Sequence, residues 1–146
     1  MGIRLSTAED YRAISELFTL LNPDRPVTKA DLLEAEQHRD LKYQSQQWVA
    51  VSEQQVVGVG SYFQREWFYH PRKFRISVLV HPHHRRRGIG SALYAQILDG
   101  LNPLNPIALI CDTYENCYEC IRFLESRGFE IFIRDLTLRL DLASFD

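Results

Sequence analysis

No stretch of this chain approaches the ~20 consecutive apolar residues that span a bilayer, so neither a transmembrane helix nor a membrane partner is expected. The first residues, Met1-Gly2-Ile3-Arg4, lack the apolar core of a secretory signal. Three cysteines are an odd number, which argues against a disulfide framework and sets the expectation of a reducing, cytoplasmic setting. Basic residues are not in excess. Seventeen Lys and Arg stand against nineteen Asp and Glu, a net charge of −2, which disfavours a nucleic-acid partner. Internal repeats and low-complexity segments are also missing. What remains is 146 residues, 45% hydrophobic and 25% charged. That suits a single domain over residues 1–146 with a sizeable core.

Hydrophobic periodicity divides the chain into alternating elements. Ile3-Arg4-Leu5 reads as a short strand, and Ser6-x-x-Glu9 as a capping box ahead of a helix. In that helix Tyr11, Ile14, Leu17, Phe18 and Leu21 share one face, and Asn22-Pro23 ends it. Thr28-x-x-Asp31 opens a second, more polar helix running to about Arg39. Gln47–Val51 and Val56–Phe63 read as paired strands around a turn at Glu53-Gln54-Gln55. Phe74–Val80 is a strand, and a helix follows from Gly90 to about Leu101 with Leu93, Ile97 and Leu101 on one face. Ile107–Cys111 is a buried-type strand, and a helix from about Asn116 to Arg127 ends at Gly128. Phe129–Ile133 and the alternating Leu136, Leu138, Leu140 and Leu142 are two further strands. The resulting order, β-α-α-β-β-β-α-β-α-β-β, describes a mixed α/β domain with a central twisted sheet and helices on both faces.

The segment richest in chemistry is Val78-Leu79-Val80-His81-Pro82-His83-His84-Arg85-Arg86-Arg87-Gly88-Ile89-Gly90-Ser91. An apolar strand meets a basic turn with two glycines, and the turn opens into a helix. Backbone N–H groups and the helix dipole at such a start form an anion cradle. Glycine at 88 and 90 lets a phosphate approach the backbone, and Arg85, Arg86 and Arg87 attract a multiply charged ligand. No Gly-Lys-Ser/Thr follows, which disfavours a P-loop nucleotide binder.

Arg85-x-x-Gly88-x-Gly90, preceded by Val80-His81-Pro82, resembles the acyl-CoA pyrophosphate loop of the GNAT family of N-acetyltransferases. The resemblance extends to the element order over nearly the whole chain. It implies a mostly antiparallel mixed sheet in which a parallel pair, Phe74–Val80 and Ile107–Cys111, splays apart to admit the acyl-pantetheine arm. It implies acetyl-CoA as cosubstrate, with Leu79, Val80, Arg85, Arg86, Arg87, Gly88, Ile89, Gly90 and Ser91 as the residues that bind it. A second match is Arg122-Phe123-Leu124-Glu125-Ser126-Arg127-Gly128-Phe129, similar to the ending of the family's fourth helix. Many members place a tyrosine four residues before the glycine, where its hydroxyl can protonate the leaving thiolate; this chain has Leu124. The family's asparagine falls on Cys117, one place from Asn116. The closing Leu-Asp-Leu strand is similar to that of one half of tandem two-domain members.

Direct transfer requires a group to take the amine's proton. The carboxylate of some relatives falls near Phe74, which cannot serve, so His81 or ordered water is expected to act in its place. Glu66, His70, His83 and His84 are the other titratable candidates, and each also reads as a solvated loop residue. Trp67, Phe68 and Tyr69 read as an aromatic wall for the amine acceptor or as cover for the sheet edge. No metal is expected. His81-x-His83-His84 has no second ligand cluster, and Cys117-x-x-Cys120 lies on an apolar helical stripe with Ile121 and Leu124. Cys111 reads as core filler. Two function classes stay open: an acyl-CoA-dependent N-acyltransferase, and a non-catalytic acyl-CoA-binding or regulatory domain. The acceptor, small amine or peptide, and the oligomeric state are not legible.

Overall fold

The computed structural model describes residues 1–66, 69–113 and 118–130. Five strands lie side by side in chain order: β1 (Gly2–Leu5), β2 (Ser45–Ser52), β3 (Gln55–Phe63), β4 (Lys73–Val80) and β5 (Ala108–Cys111). The first four pair antiparallel, and β4 and β5 run parallel. Helices α1 (Tyr11–Leu21) and α2 (Lys29–Gln37) precede β2, and α3 (Ile89–Leu101) connects β4 to β5. These elements belong to one compact unit, residues 1–112. Helix α4 (Tyr118–Glu125) is described by itself.

The expected mixed sheet with helices on both faces is present, and side-chain alternation shows how it is held. On β3, Val59 points to one face and packs with Val49 of β2 against Ile14 and Leu17 of α1. Gly58 and Gly60 point to the other face, where α3 lies. A Cβ at Gly60 would stand 3.2 Å from the Leu93 Cβ and 3.3 Å from the Ile97 Cδ1. Two glycines two residues apart thus clear a channel in which α3 sits almost on the strand backbone. Leu93, Ile97 and Leu101 are fully buried there, as their spacing predicts. Beside them Tyr62 packs against both Trp48 and Phe74, with ring centroids 5.9 and 5.7 Å apart.

Local signals are correct with small displacements. Thr28 caps α2, accepting from the Asp31 N–H while Asp31 accepts from the Thr28 N–H. At α1 the capping pair is Thr7 and Asp10, one residue beyond the expected Ser6 and Glu9. The reason is tertiary: Asp10 accepts from the Thr7 N–H at 2.8 Å and from both Arg4 guanidinium nitrogens of β1 at 2.8 Å. The β2–β3 turn has only two residues, Glu53 and Gln54, both in the left-handed region at φ 50° and 66°. This matches a primed hairpin turn, and Gln55 already belongs to β3. Helix α3 begins at Ile89, one residue before the expected Gly90.

The end of α4 has the anticipated form. Gly128 is left-handed at φ 89°, and the Phe129 N–H donates to the Leu124 carbonyl at 3.1 Å. Phe129 and Glu130 are not in a strand. The remainder of the expected strand at Phe129–Ile133, the final leucine strand, Asn116 and Cys117 lie outside the described residues. Cys120 is disulfide-bonded, and its partner lies outside the described residues. The odd cysteine count argued against a disulfide framework, and this bond departs from that expectation; Cys111 is a free thiol.

The Asp10 cluster carries a testable consequence. Arg4 donates to the Asp10 carboxyl, and this, with the Thr7 hydrogen bonds, holds Asp10 below the usual carboxylate range although burial opposes it. A depressed value stabilises the fold above the unfolded-state value of about 3.9 and loses that contribution as pH falls through the lower folded value. Asp10→Ala should therefore cost about 1–3 kcal/mol near neutrality. In urea unfolding the gap between wild type and variant should narrow from pH 6 to pH 3. An equal gap at both would show that the ionised form is not what stabilises.

Candidate functional site

The basic turn begins where β4 ends. His81 donates its backbone N–H to the Val57 carbonyl at 2.8 Å, tying the turn to β3. Its ring caps the short 3-10 turn Pro82–His84, with Nδ1 accepting from the His83 N–H at 3.1 Å. The rings of His83 and His84 stand edge-on to it, at 5.1 and 5.5 Å. Partial burial, and then the neighbouring His83, His84 and Arg85, hold the His81 pKa below the usual histidine value. With Nδ1 accepting, the neutral ring carries its proton on Nε2. His81 also borders an open groove of about 680 Å³ with Glu9, Glu16, Leu17, Leu20 and Val56 on the α1 side.

The next residues turn the backbone toward α3. Arg85 Nε–H reaches back to the Val80 carbonyl at 3.4 Å. Arg87 lies 3.3 Å from the His84 ring. Arg86 and Gly88 adopt φ 64° and 77°, and Gly88 is the N-cap of α3. The first intrahelical bond there runs from the Ala92 N–H to the Gly88 carbonyl. The N–H groups of Ile89, Gly90 and Ser91 come before it, outside the helical ladder. Nothing lies within 4 Å of the place a Gly88 Cβ would occupy. Arg85, Arg86 and Arg87 are exposed around it. An open, left-handed glycine thus stands before a thirteen-residue helix, with three exposed arginines directly ahead of it in the chain.

The second component is a parting in the sheet. Parallel pairing of β4 with β5 runs from Lys73↔Ala108 to Ile76↔Cys111 and stops, while β4 continues to Val80. The strand edge at Ser77–Val80, including Leu79 and Val80, therefore extends past the end of β5. Backbone donors and acceptors along such an edge can pair with the amides of an inserted arm. Phe74, the position expected to exclude a carboxylate, is buried against Tyr62.

Sequence reasoning missed the acid at this parting. Asp112 follows β5 directly and stands beside the end of the β4–β5 pairing. Its side chain is 80% exposed, and Oδ2 is 3.1 Å from Nη1 of Arg75, whose side chain is only 7% exposed. The available signal was an acid immediately after the apolar run Ile107–Cys111. Burial, with Asp112 adding, pushes the Cys111 thiol up to about 11. Tyr69 packs edge-on to Tyr43 at 5.4 Å, with Lys42 Nζ 4.8 Å from its centroid. Trp67 and Phe68 lie outside the described residues. Among the described residues no group of three His, Cys, Asp or Glu is placed to hold a metal, and no helix is long and apolar enough to cross a membrane.

The chain is similar to known acetyltransferases in both sequence profile and fold. The Acetyltransferase (GNAT) family profile matches residues 14–129. A ribosomal-protein-alanine N-acetyltransferase from Brucella melitensis superposes with a TM-score of 0.76 at 25% identity, over 89% of this chain and 85% of that one. A putative acetyltransferase from Salmonella typhimurium, solved with its cofactor acetyl-CoA, gives 0.73 at 24% identity, over 90% and 80%. The BH1408 protein from Bacillus halodurans, in a tetramutant form, gives 0.76 at 21% identity, over 96% and 100%. No curated protein matches the chain. The profile spans well over half of the 146 residues and includes the turn, the parting and α4; the chain belongs to the GNAT family of acetyltransferases.

Proposed function

We propose that residues 1–146 act as a single domain, an acyl-CoA-dependent N-acyltransferase that moves acetyl from acetyl-CoA to a primary amine. The observation that carries this reading is the continuity of the Arg85–Ser91 cradle with the parted edge of β4. One end suits a pyrophosphate and the other a pantetheine arm, so a CoA thioester placed along both would present its carbonyl near the β4–β5 parting. In the reaction the amine nitrogen forms a bond to the thioester carbon, the carbon–sulfur bond breaks, and CoA leaves as thiol. The backbone around Leu79 and Val80 is the source of hydrogen bonds to the developing oxyanion. The amine's surplus proton leaves through Asp112. His81, named from the sequence as the base, has Nδ1 engaged in capping the turn, so only its Nε2 remains for proton transfer.

Leu124 favours a second reading, an acyl-CoA-binding domain without turnover, because it offers no proton to a leaving thiolate. Turnover separates the two. Acetyl-CoA with a panel of aliphatic and peptide amines should yield free thiol and N-acetyl product by mass spectrometry. Asp112→Asn should lower kcat/KM by about 100-fold or more, the usual scale for a proton-transfer group. His81→Gln should leave the shape of the profile against pH unchanged. Product absent with every amine would establish the binding-domain reading. A lost inflection in His81→Gln alone would return the base to His81.

A further inference from the structure

Resting on the acyltransferase reading, we propose that Arg75 is a positioning residue: its buried guanidinium fixes the Asp112 carboxylate at the parting of β4 and β5, so that Asp112 presents an anionic oxygen to an acceptor that arrives as an ammonium ion. The acceptor class that follows is an aliphatic amine, charged at neutral pH. An aromatic amine, uncharged there, gains no binding from this anion and needs it only to lose its proton after attack.

The argument begins with an asymmetry. Arg75 is 6% exposed and lies between Phe74 and Ile76, both buried on the α3 face. Strand alternation places Arg75 on the opposite face. Its partner Asp112 is almost entirely in solvent. The ion pair with an exposed carboxylate by itself adds little to stability. As a device for orientation it is effective. An aspartate following the last residue of a strand has free rotamers. A rigid fork of donors anchored in the sheet selects one of them.

The register supplies the location. Arg75 pairs with Ile110, and Ile76 with Cys111, after which the strands part. Asp112 is the next residue, and it turns back to the Arg75 side. Gln64, Arg65, Tyr69, Lys73 and Ile110 line a small cavity with Arg75. The charged or titratable groups around the pair are therefore Arg65, Tyr69 and Lys73, with Cys111 adjacent in sequence. Among these described residues Asp112 is the carboxylate.

The test uses the whole protein with acetyl-CoA, an aliphatic amine and an aniline. Arg75→Met should lower kcat/KM for the aliphatic amine roughly 10- to 100-fold, the scale of a misplaced reacting group. It should also raise the KM for the aliphatic amine, because the carboxylate is no longer held facing the ammonium. Arg75→Lys should restore most of both. Acetyl-CoA affinity by calorimetry should be unchanged, and the aniline KM should change little. In an Asp112→Asn background Arg75→Met should cause no further loss, since the effect passes through Asp112. If Arg75→Met fails to fold, Arg75→Gln, too short to offer the same fork of donors, should show the same rise in KM. An unmoved KM for the aliphatic amine, or an equal loss with and without Asp112, overturns the proposal and leaves Arg75 a packing residue. Wild type without product for any amine overturns the acyltransferase reading, and this proposal with it.

Discussion

Gly90→Glu should abolish measurable acetyl-CoA binding while leaving the protein folded and, if anything, more resistant to heat. The two effects have opposite signs for separate reasons. Gly90 is the second residue of α3. An acidic side chain in a first turn interacts favourably with the helix dipole, by about 0.3–1 kcal/mol. Replacing a helical glycine adds up to about 1 kcal/mol more. The same carboxylate stands where the cradle would receive a pyrophosphate, adding bulk and repulsion in place of an N–H lined opening. Calorimetry should show affinity reduced by at least about 100-fold, corresponding to about 2.7 kcal/mol. The melting temperature should hold or rise. Wild-type affinity in this variant would remove the turn from the binding site.

Leu93→Ala should have the largest effect on stability. The side chain is completely buried, and its Cδ1 lies 3.0 Å from the place a Gly58 Cβ would occupy. Two glycines opposite it supply no side chain that could relax into a void, so the cavity should stay open. Truncations of this type cost about 2–5 kcal/mol, a large fraction of the roughly 5–15 kcal/mol that holds a domain together. Urea unfolding should show a lower midpoint with an unchanged slope. A loss below about 1 kcal/mol would mean that α3 collapses onto the sheet.

These cases show what could be read from the chain and what could not. Leu93, Ile97 and Leu101 announced their burial by spacing alone, as did Ile14 and Leu17. Helical periodicity is a local property and needs no knowledge of neighbours. The glycine turn was legible for the same reason: strand, turn and helix start are contiguous in sequence. The start of α1 was misjudged by one residue because Arg4, on a different element, claims Asp10. The β2–β3 turn was drawn one residue too long because its left-handed positions carry Glu53 and Gln54 instead of glycine. Asp112 was missed entirely. Its significance depends on the register of β4 against β5, which brings Arg75 across from a place 37 residues earlier. Read alone, Arg75 is an interruption in an apolar strand and Asp112 an ordinary loop acid.

Arg86 shows that the turn is not built for thermodynamic comfort. At φ 64° it occupies backbone territory that an L-residue enters at a cost of about 1–2 kcal/mol relative to glycine. Gly88, two residues on, shares the left-handed twist without that cost. A chain shaped for durability alone would place glycine at both positions. Arginine at 86 trades resistance to unfolding for positive charge, so this corner of the molecule is a conformational debt already incurred before any ligand arrives. The fixed bend presets the backbone of the turn, without the ordering entropy that a floppy polyglycine loop would lose on each encounter. Adding glycines here to ease the backbone would make the protein harder to unfold and slower to hold what it binds.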